Sequence, residues 1–162
     1  MIETRLDKNF KIKVFFDEET STISYVVYDV TSKKCAVIDS VLDFDFSSGT
    51  IDYYNAEKII SYIEKMKLDL EWLIETHVHA DHLSASPYIQ KKLGGKIGIS
   101  EKISDIQNIF GKTFNAGTEF QRDGSQFDRL FKDNDESRIG NIKCKVINTP
   151  GHTPACTAHV IG

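Results

Sequence analysis

Three imidazoles and a carboxylate fall within the six residues from His77 to His82, in Thr76-His77-Val78-His79-Ala80-Asp81-His82. Each of these groups must find a partner or keep its hydration, so a packed core does not favour such a cluster. Neutral imidazoles beside a carboxylate are the donors that zinc and ferrous iron accept. A fourth of the chain's five histidines, His152, lies in Thr149-Pro150-Gly151-His152-Thr153. Alone, Pro-Gly-His-Thr is also an ordinary turn composition. As a companion to the cluster, His152 reads as a further ligand, and the candidate metal set is His77, His79, Asp81, His82 and His152.

The elements around these residues must hold them at the end of a strand. Glu71-Trp72-Leu73-Ile74-Glu75 reads as a short buried β segment, and Leu83 to Leu93 reads as a helix stopped by Gly94-Gly95. Ser84 or Ser86 is suited to cap that helix, and Pro87 to an early helical position. The histidines then sit on a loop leaving the carboxyl end of a strand, where α/β proteins bind ligands. In an extended loop, His77 and His79 point the same way and can share one ion.

Upstream, Lys11–Phe16 and Thr22–Val30 read as strands, Thr31-Ser32-Lys33-Lys34 as a turn and Cys35–Asp39 as a third strand, making a β-meander. Leu42 to Tyr53, rich in Asp, Ser and Gly, reads as a loop over the site. From Asn55 a helix carries Ile59, Ile60, Ile63 and Met66 at helical spacing, a core stripe. Lys96–Ser100 reads as a strand and Glu101–Phe114 as a helix. Asn115–Asp135 is a polar and aromatic stretch. Arg138–Asn148 reads as one long β stretch, and Ala158–Ile161 as a strand carrying His159. The run Asp133-Asn134-Asp135-Glu136 is a solvated turn.

THVHADHLSAS together with PGHTPAC strongly resembles the metallo-β-lactamase superfamily, in its glyoxalase II-like branch. Within that branch it is most similar to the persulfide dioxygenases and the β-lactamase-hydrolase-like proteins. The resemblance runs from about Phe10 onward and takes in Ala36–Val41, Leu73–Thr76 and Val146–Pro150. It implies an α/β (α+β) chain forming the first half of an αββα sandwich, a mixed sheet with flanking helices, over one domain, residues 1–162. In two-metal members, the positions matching His77, His79 and His152 bind one metal, and those matching Asp81 and His82 a second. In the persulfide dioxygenases, one Fe(2+) is held by the histidines matching His77 and His152 and by a later aspartate. The other motif residues then orient the ligands, and Asp81 is the candidate catalytic carboxylate. Asp39, ending its strand on the side of the loops, either hydrogen-bonds a ligand histidine, as the resemblance implies, or initiates a turn.

The sequence given stops ten residues beyond His152, whereas the family pattern continues with a bridging aspartate and a final histidine. The resemblance therefore implies a chain truncated before the last ligands, with His159 a strand side chain and no match to the final histidine. Half a sandwich leaves an apolar face, from which a homodimer or a complementing chain is expected. Three functional readings follow. One is an iron-dependent oxidation of glutathione persulfide to sulfite with dioxygen. Another is a binuclear Zn(2+) hydrolase of glutathione thioesters. The last is an inactive half-domain that needs a partner chain. The small-molecule partner is a thiol substrate, glutathione-derived, in both enzymatic readings.

Composition narrows the remaining classes. The chain is 40% hydrophobic and 27% charged, which fits a globular domain. A net charge of −4 with no dense Lys/Arg run disfavours nucleic acid. No apolar run reaches membrane-spanning length, and Met1–Asp7 lacks the apolar core of a secretory signal, so a cytoplasmic protein is expected. Cys35, Cys144 and Cys156 are odd in number and show no CxxC spacing. The first two fit buried thiols. Cys156, four residues past His152, fits either a packed thiol or a redox or substrate contact.

Overall fold

The computed structural model describes residues 9–162, so the reading of Met1–Asp7 lies outside the described residues. The expected meander is present: β1 (Phe10–Asp17), β2 (Thr22–Asp29) and β3 (Lys34–Ile38) pair antiparallel in sequence order. β6 (Asp69–Ile74), β8 (Lys96–Ser100) and β9 (Arg129–Phe131) then join in parallel, giving a six-stranded mixed sheet β1-β2-β3-β6-β8-β9. Parallel neighbours need crossovers, and helices α1 (Tyr54–Lys65) and α2 (Ser86–Leu93) lie within the first two. α3 (Ile103–Thr113) follows β8.

Strand alternation divides the apolar residues between two faces. Cys35 and Val37 of β3, with Val26, Leu73 and Ile97, pack under Ala56, Ile59, Ile60 and Ile63 of α1 and Ile89 of α2. Ala36, between them in sequence, faces the other way with Val27 and Ile74 and meets Ile139 and Cys144 of a second sheet. A register shift between Cys35 and Ala36 skips Glu71, which puts Leu70 and Leu73 on one face. Met66 departs from the expected core stripe: it is the α1 C-cap, 36% exposed.

The second sheet is β10 (Glu136–Ile139), β11 (Ile142–Asn148) and β12 (Thr157–Ile161). The single long stretch expected over Arg138–Asn148 is thus a hairpin, turned at Gly140-Asn141 with Ile139 opposite Ile142. Gly140 takes φ 57°, which glycine adopts without steric penalty at the first position of a tight hairpin loop. This turn is clamped to the first sheet. Asp29 Oδ2 accepts from Asn141 N and Nδ2 at 2.9 and 2.8 Å, Glu71 accepts from Gly140 N, and Trp72 Nε1 donates to Arg138 O.

Two further expectations change. The supposed loop Leu42–Tyr53 contains β4 (Val41–Asp45) and β5 (Thr50–Asp52), a short antiparallel hairpin around Gly49 at φ 68°. β5 is exposed throughout and β4 is half-buried from Leu42 to Phe44, so the aspartates Asp43, Asp45 and Asp52 are tolerated in the strands and mask them in the sequence. β9 likewise falls inside the polar Asn115–Asp135 stretch. β4 also pairs with β7 (Leu83–Ser84), Val41 opposite Ser84 and Leu42 opposite Leu83. Among the described residues no helix is long and apolar enough to cross a membrane.

Candidate metal centre

The loop Glu75–His82 is held at both ends. At its start, Glu75 N donates to Gly98 O of β8, and at its end β7 is paired to β4. Its middle is gripped by Asp39, at the carboxyl end of β3. Asp39 Oδ1 accepts from Thr76 N at 2.8 Å and lies 3.1 Å from His79 Nε2, while Oδ2 accepts from Thr76 Oγ1 at 2.8 Å. Asp39 does so from a left-handed backbone, φ 50°, which Asp and Asn tolerate better than most residues.

These bonds fix which nitrogen of each ring is free. Burial alone would raise the Asp39 pKa, but bonds from His79 and Thr76 hold it below the usual value, so the carboxylate only accepts. His79 must then donate from Nε2, leaving the Nδ1 lone pair open. Thr76 spends its one hydroxyl proton on Asp39, so at 2.9 Å it accepts from His77 Nδ1, and the Nε2 of His77 is left open. His82 Nδ1 faces the Leu83 carbonyl at 3.0 Å, an acceptor only, so its open nitrogen is also Nε2. That Nε2 is buried with no hydrogen-bond partner. A buried imidazole nitrogen with a free lone pair, and ligand rings oriented by outer carboxylates and carbonyls, fit a metal ion.

The rings themselves converge. His79 stands between His77 and His82, with centroids 4.0 and 4.2 Å away. One potential ligand atom each from His79, Asp81 and His82 falls within 4.8 Å of the others, and so does one each from Asp39, Glu75 and His79. His152 arrives from 75 residues away because the start of β12 is tied to the metal loop. Thr157 donates to the Thr76 carbonyl from both N (2.9 Å) and Oγ1 (3.1 Å). The preceding turn then sets the His152 ring edge-on to His77 at 5.0 Å. His77 and His152 stand beside this group through ring contacts, and among the described residues neither belongs to a set of three ligand atoms so closely spaced. His159 does not join them: its ring packs edge-on against Phe131. Cys156 is held by Thr153, whose N donates to Sγ at 3.2 Å.

The charges are uneven. Burial and the neighbouring His79 hold the His77 pKa below its usual value, favouring the neutral ligand form. Burial acts the same way on His79, but Asp39, Glu75 and Asp81 outweigh it and raise the pKa. Asp81 is half-exposed, 4.0 Å from His79 Nδ1, and accepts from Thr22 Oγ1. Burial works against its ionisation, while its own backbone N–H, His82 and His79 lower its pKa. Glu75 is 4% exposed and burial pushes it up to about 7, against bonds from Ser84 and Ser86.

Two groups escaped the sequence reading. The sequence marks Thr76 only as a flank, and Ser84 and Ser86 as helix caps. No side chain caps α2, whose N-cap is Ala85; Ser84 Oγ accepts from Ser86 N, and both hydroxyls donate to Glu75. A carboxylate placed directly before Thr-His-x-His was the available signal. Two concavities flank the cluster. One is lined by Val41, Leu42, Phe44 and Phe46 with Asp17 and Asp43, the other by Val78, Pro87, Ile97, Ile99 and Phe127, and both reach His79 and His82.

The chain is similar to several known proteins. A probable metallo-hydrolase of Burkholderia pseudomallei is 47% identical over 150 residues, covering 93% of this chain and 51% of that protein. The mitochondrial persulfide dioxygenase ETHE1 of Homo sapiens is 25% identical over 150 residues, 93% of this chain and 47% of that one. The chain therefore spans about half the length of these relatives. The crystal structure of ETHE1 from Myxococcus xanthus superposes with a TM-score of 0.69 at 23% identity, over 94% of this chain and 54% of that one, a likeness of fold. Residues 18–161 match the model of the metallo-beta-lactamase superfamily, and with this fold and this cluster of histidines the chain belongs to that family.

Proposed function

We propose that the chain is a metal-dependent catalytic domain of the persulfide dioxygenase kind, oxidising the outer sulfur of a small, glutathione-derived persulfide. The observation that carries this reading is the pairing of His77 and His152 at 5.0 Å, with the Nε2 of His77 left open by the Asp39–Thr76 relay. His77 and His152 would hold Fe(2+), with His79 and His82 orienting the pair. Ferrous iron, when bound, supplies the redox chemistry with dioxygen that zinc lacks. The chain's own part is to bind and orient. The apolar cavity of Val78, Pro87, Ile97, Ile99 and Phe127 beside His77 suits a soft sulfur and limits water. Asp81, 4.0 Å from His79 Nδ1, is the carboxylate that stands beside the rings and would face a proton leaving the substrate. One persulfide, one dioxygen and one water give one thiol, one sulfite and two protons. The name of the human relative supports this choice.

A second reading, a binuclear Zn(2+) thioester hydrolase of the glyoxalase II type, is favoured by a different observation. The grouping of His79, Asp81 and His82 within 4.8 Å offers a separate metal position, and the Burkholderia relative is named as a hydrolase. Two zinc ions would supply an acidified water and charge to steady the oxyanion. Elemental analysis after anaerobic purification separates the two, followed by oxygen uptake with glutathione persulfide and cleavage of a glutathione thioester. Near one iron per chain with oxygen uptake supports the dioxygenase. Two zincs with thioester cleavage replace it by the hydrolase. Replacing His77 and His152 by Ala removes bound iron; iron retained by that double variant refutes the ligand assignment.

A further inference from the structure

Glu75 is the one deeply buried carboxyl at the centre that neither reading uses. Its side chain is 5% exposed, and Oε1 accepts from Ser84 Oγ and Ser86 Oγ, each at 2.5 Å. Oε2 has no hydrogen-bond partner and lies 3.6 Å from His79 Nε2. Glu75 closes β6 and enters the metal loop, while Ser84 and Ser86 stand where that loop ends and α2 begins. Ser86 Oγ also lies 3.2 Å from Ser40 Oγ, next to Asp39. One carboxyl group thus ties the entry of the loop to its exit, and its second oxygen backs the same imidazole nitrogen that Asp39 holds. A buried acid costs free energy unless something compensates it, and an apolar side chain would fill this position without that cost.

We propose that Glu75 is a positioning residue for the metal: it staples the two ends of the ligand loop through Ser84 and Ser86 and, with Asp39, fixes the His79 ring so that Nδ1 faces the ion. The proposal rests on the metal-binding reading of the cluster. Two variants separate its parts. In Glu75→Gln the amide oxygen still accepts the serine hydroxyls, but an NH2 group now faces the His79 Nε2–H and competes with it for Asp39. In Ser84→Ala/Ser86→Ala the carboxylate stays behind His79 and the staple is lost.

The test uses Co2+ as the probe, with affinity read by chelator competition and ring geometry by the visible ligand-field bands at saturation. Both variants should bind Co2+ about 10- to 100-fold more weakly, the range for groups that orient a metal-bound histidine. Glu75→Gln should also shift the bands, which a role in loop stability alone would not do. If Glu75→Gln folds, by far-UV circular dichroism, and matches wild type in affinity and spectrum, the proposal is overturned. If it does not fold, Ser86→Ala decides: weaker binding supports the proposal, unchanged binding overturns it. Failure of the wild-type chain to bind Co2+ overturns the metal reading itself, and this inference with it.

Discussion

Asp39→Asn is the sharpest perturbation of the centre, because it keeps size and backbone while changing one acceptor into a donor. Asn tolerates the left-handed φ of 50° that Asp39 adopts, so no backbone strain is added. Asp39 serves three donors: Thr76 N, Thr76 Oγ1 and His79 Nε2. With the amide oxygen at Oδ1, the NH2 group meets Thr76 Oγ1. The hydroxyl must then turn its proton toward His77 Nδ1, which moves the ring proton to Nε2 and closes the nitrogen meant for the metal. With the amide reversed, NH2 confronts two N–H donors and His79 is released. Either orientation disables one ligand ring. Loss of such an orienting partner costs about 10- to 100-fold in metal affinity, or about 1.4 to 2.8 kcal/mol. Zinc competition against a chromophoric chelator measures the affinity, and nitrogen-15 chemical shifts of the imidazoles report the tautomers. A folded Asp39→Asn chain that binds zinc within about threefold of wild type, a change under roughly 0.7 kcal/mol, refutes the relay.

The remaining predictions concern the scaffold. Asp29→Ala removes the acceptor for Ser32, Thr31 and Asn141 at the joint between the sheets. At about 1–3 kcal/mol per stranded donor, a loss of roughly 3 kcal/mol and a melting point roughly 6–12 °C lower are expected by calorimetry. The Ser32 hydroxyl, outweighing burial, and the N–H groups of Asn141 and Thr31 hold Asp29 far below its ordinary 3.8. Its stabilisation is therefore full above that pH and falls as the pH drops below it, so Asp29→Ala should flatten the acid limb of a denaturation profile. Gly98→Ala would drive a methyl into the Phe131 ring, and overpacking of about 1–3 kcal/mol should appear as a lower urea midpoint. Leu73→Ala, at a position with no exposed surface under the helices, should cost about 2–5 kcal/mol in the same assay.

Much of this was legible because chain chemistry and periodicity agree where burial is one-sided. The meander, α1 and α2 announce themselves through residues that the two faces of one sheet require, and the cluster His77–His82 through donors no core would choose. The β4–β5 hairpin is harder to see: Leu42-Asp43-Phe44-Asp45 does alternate, but the run is short and leads directly into the turn residues Ser47-Ser48-Gly49. The hairpin at Gly140-Asn141 carries a Gly-Asn turn signal, but the apolar residues on either side read as one continuous strand. Within the site, residue types single out the candidate ligands, and of the two readings of Asp39 the hydrogen bond to a histidine, His79, is present. Ser84 and Ser86 were misassigned because a serine before a helix reads as a cap, whereas here a buried glutamate nine to eleven residues earlier draws both hydroxyls inward. Such a pairing depends on the path of the loop, which local spacing does not encode.

The pair of hydrogen bonds from Thr157 to the Thr76 carbonyl makes the centre a joint as well as a site. His77 belongs to the loop leaving the first sheet, and His152 to the turn between β11 and β12 of the second, so an ion shared between them would be a cross-link across a long span of chain. Whatever loosens the β10–β12 sheet must also separate the ligands, and whatever fills the site must hold that sheet down. Linkage sets the scale: free ion at a hundred times its dissociation constant adds about 2.7 kcal/mol to the closed form. In β12 the amides that exchange with deuterium only when the two sheets part should slow accordingly, which would make an edge strand of the second sheet a gauge of metal occupancy.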